Sequence, residues 1–296
     1  MALPEHGRPI VVGVDGTPES RLALDWAVDA AERSRAPLRV VTVSEWPTPS
    51  PLAAPPMAGD LPVEAVPRVF LQDVHEEAVA AARERLSPES VDGVSVVGSA
   101  IAVLLEESAG AGRLVVGSRA RSAAAAVLLG SVSSAVAAHA QCPVTVVRVP
   151  EERTAPQRVV VGVDESDHST RALELAFEEA AQRGLALRVV HCWQPVSLID
   201  PAVWARDRST SERQERETWL QQKVAPYMEK APHIAIESQV VDERPINELV
   251  EQSRDAFMVV VGSRGRGGFV GMLLGSVSQG LLHHAHCTVT VVGDRG

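Results

Sequence analysis

The sequence predicts an α/β fold made twice: two tandem doubly wound domains, each a five-stranded parallel sheet with helices on both faces. A long internal repeat is the first observation. Residues 11–41 align with 160–190 without a gap, 14 positions of 31 identical, and 115–147 align with 260–292, 19 of 33 identical. Both ends of the unit recur, which marks duplicated domains and not a solenoid. The second observation is that short Val-rich runs alternate with helix-spaced stretches throughout both copies. The third is the polar, proline-bounded segment Pro150-Glu-Glu-Arg-Thr-Ala-Pro156, which sets domains at 1–150 and 151–296.

In the first copy, strands are predicted at 9–14, 38–43, 94–98, 113–117 and 144–148. The helices between them are predicted at 18–35, near 70–86, at 101–109 and at 131–140. Residues 46–67 hold seven prolines and no periodicity, and read as an irregular loop. In the second copy the strands are predicted at 158–163, 186–191, 233–241, 257–262 and 288–292, apolar as strands buried on both faces are. Its first helix, 170–183, takes Ser169 as N-cap and Gly184 as its close, and Ala172, Leu173, Ala176, Phe177 and Ala180 form the inward stripe. Further helices are predicted at 211–230, 246–254 and 276–284. The stretch 209–230 is rich in Glu, Gln and Arg, and reads as a solvated helix held to its sheet by Trp219, Leu220 and Tyr227.

The chain has 296 residues, enough for two cores, with 45% hydrophobic and 22% charged residues. No apolar run has the length that crosses a bilayer, and the first residues lack the layout of a secretory signal, so the expected location is cytoplasmic, with no membrane partner. A net charge of -10 sets the surface against a phosphate backbone, so no nucleic acid is expected as partner. Cys142 and Cys287 stand at equivalent places before Val-rich strands and read as small buried apolar residues. His283, His284, His286 and Cys287 lie close in sequence, but they fall where a helix passes into a strand, so their side chains diverge; a solvated helix end is expected, with no metal site.

Ligands of open parallel sheets bind beyond the carboxyl ends of the strands, where strand order reverses. Each copy's first strand ends in Gly-Val-Asp, with Asp15 and Asp164, and its fourth in Gly-Ser-Arg. In the second copy a glycine-rich loop runs from Gly262 through Arg264, Gly265 and Arg266 to Gly275-Ser276-Val277. Such glycines admit backbone amides to an anion, a helix N-terminus adds free N–H groups, and the arginines add charge. The same run is also the sequence of a tight strand–helix connection, and either Asp also suits the cap of its own turn. No Lys precedes the Ser, so the Walker pattern is absent, and the dinucleotide fingerprint is absent after the first strand.

The pattern Gly262-x2-Gly265-x9-Gly275-Ser276 resembles the ATP-binding signature of the universal stress proteins. The Val-Val-Gly-Val-Asp opening and the Cys-x-Val-x-Val-Val ending are similar to that family too, over the whole chain, twice. The resemblance implies the adenine nucleotide α-hydrolase-like sheet order 3-2-1-4-5, with ATP, accompanied by Mg²⁺, between strands 1 and 4. It implies that Asp164 contacts the nucleoside side, that main chain near His191 and Cys192 faces adenine, and that Gly262, Gly265, Gly275, Ser276 and Val277 cradle ribose and phosphates. In the first copy the matching positions are Asp15, Val43, Gly117, Arg119, Gly130, Ser131 and Val132. There Ala120 replaces the second signature glycine, and a left-handed backbone at that place would cost on the order of 1 kcal/mol, about fivefold in binding.

The function expected on these grounds is ATP binding with a regulatory role in stress response, signalling to a protein partner. A homodimer through the last strands, 144–148 and 288–292, is the assembly the resemblance implies. The competing reading is a slow ATPase or nucleotidyl-transfer enzyme of the related adenine-binding α/β group. No nucleophile or general base near the loop is identifiable in the sequence, so hydrolysis is expected to be at most weak.

Overall fold

The computed structural model of the chain describes residues 7–44, 65–118, 129–148, 158–193, 207–265 and 273–293. The chain divides into two compact units, Met1–Val149 and Pro150–Asp294. Most of the predicted loop at 46–67 lies outside the described residues, but its last three residues open a helix.

In unit 1 the elements run β1 (Ile10–Gly13), α1 (Pro18–Ser34), β2 (Leu38–Ser44), α2 (Ala65–Arg85), β3 (Val91–Val97), α3 (Ala100–Ser108), β4 (Arg113–Gly117), α4 (Ser131–His139) and β5 (Val144–Val147). The sheet order is β3-β2-β1-β4-β5, the implied 3-2-1-4-5, and every pairing is parallel. Unit 2 repeats it with β6 (Arg158–Gly162), α5 (Asp167–Arg183), β7 (Leu187–Cys192), α6 (Asp207–Lys230), β8 (Ile236–Val241), α7 (Pro245–Gln252), β9 (Ala256–Gly262), α8 (Ser276–His284) and β10 (Thr288–Val292). Its order is β8-β7-β6-β9-β10, again parallel. Helices α1 and α2 pack together and α3 packs with α4, the two pairs covering opposite faces as right-handed crossovers from an outward-growing sheet require.

The cores are made by the Val-rich strands. Val11, Val12, Val40, Leu114, Val115 and Val146 in unit 1 are fully enclosed, as are Val159, Val160, Val161, Val259 and Val260 in unit 2. Val and Ile fit a pleated surface covered on both sides, and each such side chain contributes roughly 1.5–3 kcal/mol on burial. Helix α5 buries Ala172, Leu173, Leu175, Ala176 and Ala180, while Phe177 is only half-buried and meets Tyr227 at a ring distance of 5.1 Å. Glu179 is buried on the same helix and is held by Arg183 Nε at 2.9 Å, so that neither charge is buried alone. Cys142 and Cys287 are buried, as their positions before the last strands suggested.

One helix start differs from expectation. Ser166, not Ser169, is the N-cap of α5; its hydroxyl accepts from the Ser169 N–H at 3.2 Å. The reason lies upstream: Asp164 accepts from the Ser166 N–H at 2.9 Å, and this turn fixes Ser166 at the helix entry. Thr17 caps α1 in the same way, accepting from the Ser20 N–H at 3.3 Å.

Candidate functional site

In unit 1 the carboxyl ends of β1 and β4 part at the reversal of strand order, and a cleft opens there. Asp15, Val43, Gly117, Gly130, Ser131 and Val132, all named from the sequence, line it. Val41, Leu104 and Val116 supply an apolar floor, and Thr17, Glu19, Ser20 and Ser133 add polar groups that the sequence reading had not named. Arg119 lies outside the described residues.

Local structure explains each position. Gly13 ends β1 where Leu104 of α3 packs, so that a Cβ there would stand 3.3 Å from the leucine methyls. Gly117 ends β4 directly beneath the first turn of α1, and a Cβ would come within 2.6 Å of the Glu19 carbonyl oxygen. Its place thus rests on close helix–strand packing. Gly130 precedes α4 with φ -65 and ψ 153 and offers no capping side chain, leaving the helix's first N–H groups turned to the cleft. Ser133 turns its hydroxyl back, donating to the Gly117 carbonyl at 2.8 Å, which ties α4 to the strand end. Asp15 accepts from the Thr17 N–H at 3.1 Å and from the Thr17 hydroxyl, both on Oδ1. The turn-capping role weighed in the sequence is therefore real, and it leaves Oδ2 outside that turn.

Unit 2 builds the same frame. Asp164 Oδ1 accepts from the Ser166 N–H and hydroxyl, and the Ser169 hydroxyl donates to the Asp164 carbonyl at 2.6 Å. Gly265 lies against this carboxylate: a Cβ on it would meet Asp164 Oδ2 at 2.5 Å. Among the described residues the positive-φ positions are Gly7, Gly16, Arg35 and Gly184, so Gly265 needs no left-handed backbone. A Cβ at 265 would press on the end of the Asp164 side chain and shift it, so the constraint at this glycine is contact with the carboxylate and not the strain argued from the sequence. Gly275 donates its N–H to the Ser263 carbonyl at 2.7 Å, and Ser278 ties both ends by donating to the Ser263 and Gly275 carbonyls at 3.0 and 2.9 Å. Gly275 precedes α8 without a capping side chain, and Ser276 and Val277 form the first turn. Asp164, Arg264, Gly265 and Gly275 are thereby brought together. Gly262 ends β9 against His168 of α5, the counterpart of Gly117 against Glu19. Arg266 lies outside the described residues.

Electrostatics differ along the crevice. Cys192 ends β7 half-buried, and burial, then Glu248 and Glu243, push its thiol up to about 12, so it is neutral and not a nucleophile. His168 is held below its ordinary range by burial and then by the guanidiniums of Arg264 and Arg171. His191, buried beside Cys192, is lowered chiefly by burial; its Nδ1 is paired with the Val163 carbonyl at 2.9 Å and its ring packs on Trp219 at 4.9 Å. This His191–Trp219 pair was not legible in the sequence, because it joins two elements whose approach is fixed only by the fold. Trp219, Leu220 and Tyr227 do anchor α6, as their spacing suggested. Among the described residues no group of three or more His, Cys, Asp or Glu stands together to hold a metal ion.

These features define a tandem doubly wound α/β protein whose site-forming residues gather at each reversal of strand order. The model of the Universal stress protein family matches residues 7–148 and again 156–293. Universal stress protein Rv2005c of Mycobacterium tuberculosis is 38% identical over 305 residues, covering 98% of this chain and 99% of the relative. Universal stress protein Rv2623 of the same organism is 35% identical over 292 residues, covering 96% of each. A crystal structure of a universal stress protein from Archaeoglobus fulgidus shares the fold, with a TM-score of 0.66 at 19% identity over 99% of this chain and 100% of that one. The chain belongs to the universal stress protein family. No helix among the described residues is long and apolar enough to cross a membrane.

Proposed function

We propose that the chain binds ATP, with Mg²⁺, in the crevice between the first and fourth strands of each unit, and that occupancy signals energy state to a protein partner in the cytoplasm. The observation that carries this reading is the unit 1 cleft, on which six residues named from sequence converge. The residues fit the ligand's chemistry. The uncapped N-termini of α4 and α8 offer N–H groups to phosphate, Val41, Val43 and Leu104 offer an apolar bed to a base, and Asp15 offers an acceptor to a hydroxyl. Unit 2, with its complete glycine loop, is the tighter site of domains 1–150 and 151–296.

Calorimetric titration of ATP with Mg²⁺ into the purified chain tests this, alongside Gly130→Asp and Gly275→Asp. Each variant sets a carboxylate where phosphate lies, and a like charge there weakens binding by roughly 100-fold. Two sites are expected, each variant losing one. Loss of the single observed site by Gly275→Asp alone confines the reading to unit 2, and no measurable heat from the folded chain overturns it.

A further inference from the structure

The last helix of unit 2 is fastened to the end of its fourth strand around one carbonyl. The Ser263 N–H donates to the Val292 carbonyl at 2.7 Å, which carries the β9–β10 pairing one residue past Gly262. The Ser263 carbonyl then accepts twice, from the Gly275 N–H at 2.7 Å and from the Ser278 hydroxyl at 3.0 Å. Both of its lone pairs are thereby used. The same hydroxyl lies 2.9 Å from the Gly275 carbonyl, so Ser278 reaches both residues that flank the stretch 264–274. Ser278 is only 1% exposed. Its one proton is given inward to protein carbonyls, and the side chain has no surface to offer a ligand.

This fastening decides which donors remain for an anion. The Gly275 N–H is spent on Ser263, although a glycine at the helix entry reads in the sequence as a phosphate contact. The next two N–H groups, those of Ser276 and Val277 in the first turn of α8, have no intrahelical acceptor, as at the start of any helix. Their direction is set by how α8 is held against β9, and Ser278 holds it. In unit 1 the equivalent Ser133 donates to the Gly117 carbonyl at 2.8 Å, which ties α4 to the strand itself.

Building on the reading of the unit 2 crevice as an ATP site, we propose that Ser278 is a positioning residue for the phosphates. It touches no ligand. It fixes the first turn of α8 to the end of β9 before ATP arrives, so that the Ser276 and Val277 N–H groups meet phosphate without reordering. A receptor ordered in advance loses less entropy on binding. One neutral hydrogen bond that keeps it ordered changes affinity by roughly fivefold. Adenosine, which carries no phosphate, gains nothing from it. Removing the hydroxyl orphans neither acceptor, because Ser263 keeps the Gly275 N–H and the Gly275 carbonyl keeps the Gln279 N–H at 3.0 Å.

The test titrates adenosine, and ATP with Mg²⁺, into the full chain carrying Gly130→Asp, so that unit 2 is read alone, with and without Ser278→Ala. Ser278→Ala is expected to weaken ATP about fivefold and to leave adenosine unchanged, and Ser278→Thr, which keeps the hydroxyl, to restore ATP. Hydrogen exchange gives a readout that needs no ligand: the Gly275 amide is expected to exchange about fivefold faster in Ser278→Ala than in the parent. Thermal melts check folding, and Ser278→Cys, of similar size with a weak donor, takes the place of Ser278→Ala if that variant does not fold. An unmoved ATP affinity, or equal losses for ATP and adenosine, overturns the role of Ser278 in phosphate binding while leaving nucleotide binding standing. If the folded parent binds neither ligand, the nucleotide reading falls and this role falls with it; faster Gly275 exchange would then leave Ser278 a structural latch alone.

Discussion

Arg35 and Gly184 close equivalent helices on equivalent backbones, with φ of 55 and 64. Only Gly184 was legible as a helix stop, because glycine advertises the left-handed region and arginine does not. Arg35 holds that conformation under steric protest, so Arg35→Gly is expected to raise stability by about 0.5–1 kcal/mol in urea unfolding. A loss of stability would show that the Arg35 side chain contributes more than its backbone costs. The serines tell a related story at the start of α5. Both Ser166 and Ser169 are good caps by type, and the choice between them was made by the carboxylate of Asp164, two residues upstream of the one and five of the other.

At the scale of elements, the glycines that end β4 and β9 were read in the sequence as openings for a ligand. The structure gives them a prior duty, the close seating of α1 and α5. Gly117→Ala would drive a Cβ to 2.6 Å from a backbone carbonyl, so the helix must move; a loss of about 1–3 kcal/mol is expected in chemical denaturation. Gly275→Ala is the contrast, since its Cβ would meet nothing nearer than 3.4 Å and its φ is -74. Element boundaries were the least legible feature. Strand β3 begins at Val91 and not at residue 94, because Val91 pairs with Leu38 and the sheet extends what Gly93 would locally weaken. Helix α6 begins at Asp207, four residues before its predicted start, in a stretch where polarity masks helical spacing.

For the whole molecule, strand–helix alternation made a parallel sheet legible but not its order; 3-2-1-4-5 came from the family resemblance, and the pairing bears it out. The site followed in the same proportion. That Asp15 and Gly130 line the unit 1 cleft and that Gly275 precedes α8 could be read from the sequence, whereas packing such as His191 on Trp219 needed the folded chain. Burial holds His75, His168 and His191 below the ordinary value of 6.5 that the unfolded chain retains. Between those lowered values and about pH 6.5 the unfolded chain binds more protons than the native one, so stability is full above this window and falls as pH falls through it. Melting temperature is expected to drop from pH 7 to pH 5, and less steeply in His191→Asn, which keeps a hydrogen-bonding group near the Val163 carbonyl without a titrating ring. Identical slopes in parent and variant would remove His191 from this account.

The turns that engage Asp15 and Asp164 have a kinetic consequence. Because Oδ1 of each is already bound by its own loop, the carboxylate's rotamer is set before any ligand arrives. A free aspartate would surrender rotamer entropy on docking, of the order of 1 kcal/mol; these two have surrendered it in folding. A ligand of the proposed kind would therefore meet an acceptor of fixed direction, and that contact would form by rigid docking without a search of side-chain conformations.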